Sequence, residues 1–179
     1  SQADVVIVGA GMVGASAAIG LSQLGMKVIL IDAFGFSKPV PDFTPSYDAR
    51  STALSWGTRD ILIALGVWGE VEKKSCPISE VHVSEKDRFG TTRIKAKDYC
   101  QSAVGYVVPN QWLGRCLLSR VDDLGIPLYA AVEVEEIIQT LPLKLVLTTG
   151  NKSQAKPKRT LEAKLLIIAD GADSNTAKK

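Results

Sequence analysis

Apolar residues fall along the chain in three patterns, and each predicts a different kind of element. The first is the unbroken β-branched run. Asp4-Val5-Val6-Ile7-Val8 ends at a glycine, Lys27-Val28-Ile29-Leu30-Ile31-Asp32 ends at an acid, and Leu161 to Ala169 closes on Leu165-Leu166-Ile167-Ile168-Ala169. Such runs predict parallel strands covered on both faces. The second pattern is helical spacing, over Ala15 to Leu24, Ser55 to Leu65 and Gln111 to Leu124. Gly25, Gly66 and Gly125 stand where each helix should stop. The third is alternation. Val81-His82-Val83-Ser84 and Thr91-Thr92-Arg93-Ile94 predict a strand pair around a turn near Asp87 to Gly90. Tyr106 to Pro109 is a short extended piece, and Val132 to Gln139 with Leu143 to Thr149 reads as a meander. Phe34 to Arg50 is rich in proline and aromatic residues and has no period, so it predicts a long loop of the kind that often carries function. Asn151 to Arg159 is a basic, polar loop, and no internal repeat is visible.

Composition narrows the function without naming it. The 179 residues suggest one domain or slightly more. A hydrophobic fraction of 46% and a charged fraction of 22% are ordinary for a soluble globular chain. The net charge of +2 points to neither nucleic acid nor an anionic membrane as a main partner. Cys76, Cys100 and Cys116 are widely spaced and His82 is the single histidine, so no zinc site is expected and the thiols read as reduced. The apolar start lacks a basic leading region and is broken by glycines. It reads as neither a signal peptide nor a membrane span.

Candidate chemistry begins at Gly9-Ala10-Gly11-Met12-Val13-Gly14, set between a strand and a helix. Gly9 permits the tight turn, Gly11 lets the backbone approach a pyrophosphate, and Gly14 lets the helix pack close to the strand. The helix start then offers N–H groups and a positive dipole end to phosphates. Asp32 follows at about the 20-residue spacing of an acid that binds a ribose diol. The alternative is a glycine-rich turn in some other α/β fold, and the strand, helix and distal acid together argue against it. These features do not separate FAD from NAD. Asp48-Ala49-Arg50-Ser51-Thr52-Ala53-Leu54 places an arginine before a helix, where it either faces phosphates or stands on the surface. Asp170-Gly171-Ala172-Asp173-Ser174 puts a carboxylate after a buried strand, either as a ligand group or as a plain turn.

Taken together, the glycine turn, Asp48-Ala49-Arg50 with Thr52-Ala53-Leu54, and Ala169-Asp170-Gly171-Ala172-Asp173-Ser174 resemble the FAD-dependent aromatic hydroxylases. The stretch from Asp48 to Trp68, with Val81-His82-Val83-Ser84 and Asp98-Tyr99, is more narrowly similar to the ubiquinone-biosynthesis hydroxylases. The resemblance implies an α/β, Rossmann-like FAD-binding domain, with the start of a substrate-domain β-sheet inserted at about Ser75 to Asn110. It implies that Gly9, Gly11 and Gly14 cradle the FAD pyrophosphate and that Asp32 binds the adenosine ribose. Arg50 would reach the FAD, and Gln111 would meet the ribityl chain. Asp170 and Gly171 would serve FAD and NADPH. The implied reaction is hydroxylation of a polyprenylated methoxyphenol by an enzyme using FAD, O2 and NADPH or NADH. The implied setting is cytoplasmic, with the inner membrane face and a ubiquinone-biosynthesis complex as candidate partners. Family chains are longer, so this sequence is expected to be their N-terminal part. A nucleotide-binding module without hydroxylase activity is the alternative, and an NAD-dependent dehydrogenase fits less well. No catalytic acid or base is assigned. His82 and the tryptophans Trp56, Trp68 and Trp112 read as structural, and Cys100 and Cys116 as inert.

Overall fold

In chain order the elements are β1 (Gln2–Val8), α1 (Met12–Gln23), β2 (Val28–Ile31), β3 (Ser51–Ser55), α2 (Trp56–Ala64), α3 (Trp68–Val71) and β4 (Cys76–Ile78). There follow β5 (Glu80–Ser84), β6 (Thr91–Lys95), β7 (Gly105–Pro109), α4 (Asn110–Asp123) and β8 (Leu128–Tyr129). The chain then runs through β9 (Val132–Ile138), β10 (Leu143–Thr149) and β11 (Arg159–Ile168). The structure is a computed structural model and describes residues 2–35, 49–84, 90–149, 159–171 and 176. Most of the proline-rich loop with Asp48, the hairpin turn around Asp87, the basic loop before Arg159 and Ala172-Asp173-Ser174 lie outside the described residues.

The main sheet has six strands in the order β8-β2-β1-β11-β10-β9. Strand β1 is central, parallel to β2 on one side and to β11 on the other. Val5 and Ile7 enter one buried layer with α1 and α4, whereas Val6 and Val8 enter a second layer on the opposite face. Burial on both faces explains the unbroken apolar runs of β1 and β2. Ile7, Ile19, Leu30 and Ile31 are fully buried, and each such side chain contributes roughly 1.5–3 kcal/mol.

The meander joins the main sheet as its outer strands. Strand β11 is 10 residues long and pairs antiparallel with β10 over its first half while running parallel to β1 over most of its length. Val134, Leu145, Leu147, Leu161 and Ala163 from this end share a buried layer with Val6, Val8, Ile29 and Ile31. The outer strands therefore extend the buried layer on the sheet's second face.

A second sheet, ordered β3-β7-β4, closes the first layer by burying Leu54, Tyr106 and Val108. Trp68 packs edge-on against Tyr106 with ring centroids 4.8 Å apart. Trp112 donates its Nε1–H to the Glu70 carbonyl at 3.0 Å. Cys116 is buried in the same layer. Burial, and then the Glu70 carboxylate, push its thiol up to about 11, so it stays protonated and unreactive at neutral pH.

Strands β5 and β6 pair only with each other. The stretch from about Ser75 to Asn110 expected to begin a substrate-domain sheet thus divides between two sheets, because Tyr106 to Val108 pairs with β3 and β4. His82 stands exposed on this hairpin, in register with Arg93.

Candidate functional site

Parallel pairing of β1, β2 and β11 brings their carboxyl ends to one sheet edge, the edge that α/β folds use for ligands. Three groups arrive there: the glycine turn after β1, Asp32 after β2 and Asp170-Gly171 after β11.

Gly9 leaves β1 with a φ of +101°, a conformation that favours glycine. Its N–H donates to the Ile31 carbonyl at 2.8 Å, while Ala169 N–H donates to the Val8 carbonyl at 2.7 Å. The turn is therefore hemmed in on both sides. A Cβ on Gly9 would collide with the Ala169 carbonyl oxygen and sit 2.8 Å from the Asp170 Cα. Gly11 is the N-cap residue of α1 and has no side chain with which to cap this end. The first turn of α1 also carries no acid, so its positive end meets no carboxylate of its own. Gly14 presses this helix onto the strand exit. A Cβ there would overlap the Gly9 carbonyl oxygen.

Asp32 is 6% exposed and both of its carboxylate oxygens are engaged. Oδ2 accepts the Ala10 N–H at 2.6 Å, and Oδ1 accepts the Phe34 N–H at 2.8 Å. Its backbone is held as well, donating to the Tyr129 carbonyl and accepting from Val132 N–H, each at 3.0 Å. The sequence motif marks Asp32 as a ribose acceptor but does not reveal this second job of bracing the glycine turn. The two jobs are compatible, since a carboxylate has about four acceptor positions.

Asp170 is half-buried, and its Oδ1 is shielded from solvent without a hydrogen-bond partner among the described residues. A buried acceptor left in that state costs about 1–3 kcal/mol, which a ligand hydroxyl or amide would recover. Gly171 follows with a φ of +89°, a conformation that favours glycine. An uncapped helix start beside a glycine turn, a buried carboxylate and an orphaned acceptor form a donor and acceptor set that fits a dinucleotide such as FAD.

Arg50 and Gln111 meet at a different place. Antiparallel pairing of β3 with β7 sets Ser51 opposite Pro109, and the Asn110 N–H donates to the Arg50 carbonyl at 2.9 Å. Arg50 is exposed, and half-buried Gln111 sits in the first turn of α4. The structure thus brings Gly9, Gly11, Gly14, Asp32, Asp170 and Gly171 together on the main sheet, and Arg50 with Gln111 on the second. Thr52 and Asn110 link the latter pair: the Thr52 hydroxyl donates to Asn110 Oδ1 at 2.6 Å. Thr52 lies in the stretch that carries the family resemblance, whereas Asn110 has no sequence signal beyond lying next to Gln111.

This arrangement defines a dinucleotide-binding α/β protein of Rossmann-like type. The chain belongs to the FAD binding domain family, which matches residues 2–179. It is similar to ubiquinone hydroxylase UbiL of Rhodospirillum rubrum, at 28% identity over 96% of this chain and 38% of the relative. It is also similar to 3-demethoxyubiquinol 3-hydroxylase of Escherichia coli, at 30% identity over 96% of this chain and 42% of the relative. Among solved structures, p-nitrophenol 4-monooxygenase from Pseudomonas putida shares the fold with a TM-score of 0.76 at 18% identity, covering 100% of this chain and 44% of that one. The flavin-dependent monooxygenase PieE, solved with FAD and substrate, gives a TM-score of 0.75 at 22% identity, covering 99% of this chain and 32% of that one. The chain spans only about two fifths of the length of the curated relatives.

Proposed function

We propose that the protein acts as a flavoprotein monooxygenase that hydroxylates the aromatic ring of a polyprenylated phenol in ubiquinone biosynthesis. The observation that carries this reading is the meeting of the glycine turn, Asp32 and Asp170 at one sheet edge. The ubiquinone hydroxylases among its relatives support the substrate class. Gly9, Gly11 and Gly14 would hold the FAD pyrophosphate at the start of α1, with Asp32 on the adenosine ribose. Arg50 and Gln111 would meet the flavin half, and Asp170 with Gly171 would serve FAD and the nicotinamide reductant. Bound FAD, reduced by NADPH or NADH, would supply with O2 the oxygen atom that enters the ring. The chain's own residues would bind, orient and keep water away.

The finer assignment is 2-octaprenyl-6-methoxyphenol as substrate. Hydroxylation at another position of the same ring is the second reading, favoured by the match to a 3-hydroxylase. Residues from about Ser75 to Asn110 would contribute strands to a substrate domain. Supporting this, Val81, Val83 and Ile94 share one face of the β5–β6 hairpin and are 37%, 53% and 37% exposed. A lone two-stranded hairpin is marginally stable in water, so that face calls for cover. Among the described residues no helix is long and apolar enough to cross a membrane. The proposed location is the cytoplasm, with the protein resting against the inner membrane where a prenylated substrate resides and in contact with a ubiquinone-biosynthesis complex.

The test is an assay of the FAD-loaded protein with NADPH or NADH, labelled O2 and the prenylated methoxyphenol. The expected result is substrate-stimulated NAD(P)H oxidation with one labelled oxygen in the ring. Bound FAD with no labelled product from any ring isomer would leave a nucleotide-binding module instead.

A further inference from the structure

The junction of β3, β7 and α4 contains a polar arrangement that core packing does not require. Asn110 is the first residue of α4 and is 6% exposed. An apolar side chain would fill such a site without desolvating an amide. Instead its Oδ1 takes the Thr52 hydroxyl at 2.6 Å, and its backbone N–H reaches the Arg50 carbonyl at 2.9 Å. Pro109, the preceding N-cap residue, has no side-chain acceptor to offer the helix start. Asn110 thus bonds to Thr52 in β3 and to Arg50 just before that strand, two residues apart. The contacts fix Arg50, just ahead of β3, relative to Gln111 in the first turn of α4.

We propose that Thr52 and Asn110 are positioning residues, a clamp that holds Arg50 and Gln111 as one unit for binding the flavin nucleotide. The inference rests on the FAD reading above and assigns the clamp no contact with the nucleotide. It acts through Arg50 and Gln111. Loss of the Thr52 hydroxyl leaves Asn110 Oδ1 without this donor and frees the helix start to shift against the strand. An affinity loss of about tenfold is the scale of one hydrogen-bonding group misplaced.

The experiment is FAD titration of the protein and of Arg50→Ala, Thr52→Val, Thr52→Ser and the Arg50→Ala/Thr52→Val double variant. Each is followed by flavin fluorescence and by the visible circular dichroism of bound flavin. The expected result is about tenfold weaker FAD binding and an altered dichroism band for Thr52→Val, with Thr52→Ser close to wild type. The double variant should lose less affinity than the two single losses multiplied together, because part of the clamp's effect passes through that arginine and the rest through Gln111. If Thr52→Val does not fold, Thr52→Ala removes the same hydroxyl without setting a methyl against Asn110 Oδ1 and carries the same expectation. Wild-type affinity and dichroism in Thr52→Val, with FAD binding weakened in Arg50→Ala, would overturn the clamp and leave the FAD reading standing. Unchanged binding in both would remove Arg50 from the flavin site and take the clamp with it.

Discussion

Gly14→Ala is expected to destabilise the protein by about 3 kcal/mol and to abolish FAD binding. The added Cβ would overlap the Gly9 carbonyl oxygen and come within 3.4 Å of Ile7 Cγ2. Neither neighbour can yield easily, since the Gly9 turn is tied to Ile31 and Ile7 is fully buried in the central strand. Relief would come only by lifting the start of α1 off the sheet, which moves the helix end meant for the pyrophosphate. Gly20→Ala, in the same helix, is the control. Its Cβ would meet Leu65 Cδ2 at an ordinary 3.6 Å, so helix propensity should dominate and stabilise by about 0.5–1 kcal/mol. Chemical denaturation of the two variants without nucleotide separates the cases. Equal effects would show that close approach of helix to strand is not what requires Gly14.

Asp32→Ala should cost about 3 kcal/mol even without FAD, in addition to weakening its binding. The alanine would leave the Ala10 and Phe34 N–H groups without the carboxylate that each now uses. A residue serving only the ribose would behave differently: its removal would weaken FAD binding and leave the stability of the free protein unchanged. Denaturation of the nucleotide-free variant therefore reads the bracing role by itself, and FAD titration of the folded fraction reads the other.

The parts of the fold legible in the sequence are those whose signal is local. β1 and β2 stand out because strands buried on both faces need unbroken apolar runs; the end of β11 has such a run too, although Leu165 and Ile168 are 50% and 39% exposed. The α1 helix begins at Met12, ahead of the expected Ala15, because Gly14 lies inside its first turn and lowers the apparent helical signal. β3, β4 and β8 are not legible. Ser51–Ser55 buries only Leu54, Cys76–Ile78 has three residues and Leu128–Tyr129 two. Such strands exist through the neighbours they pair with. The site divides in the same way. The glycine spacing and Asp32 are visible because one turn and one strand end carry them, and Asp170 because it closes a strand. The bond from Asp32 to Ala10 and the orphaned Asp170 Oδ1 depend on packing between elements. So does the meeting of Thr52 with Asn110, which lie 58 residues apart. No periodicity reports contacts of that range.

The edge formed by Gly9 to Gly14, Asp32 and Asp170 is proposed as a flavin-nucleotide site. Side-by-side titration of the protein with FAD and with NAD, read by flavin fluorescence and calorimetry, tests it most directly, with Gly11→Val as the variant that sets a branched side chain where the pyrophosphate would approach. Saturable FAD binding that Gly11→Val abolishes is expected, with no comparable binding of NAD. Saturable NAD binding without FAD binding would contradict it and return the glycine turn and Asp32 to a dehydrogenase reading.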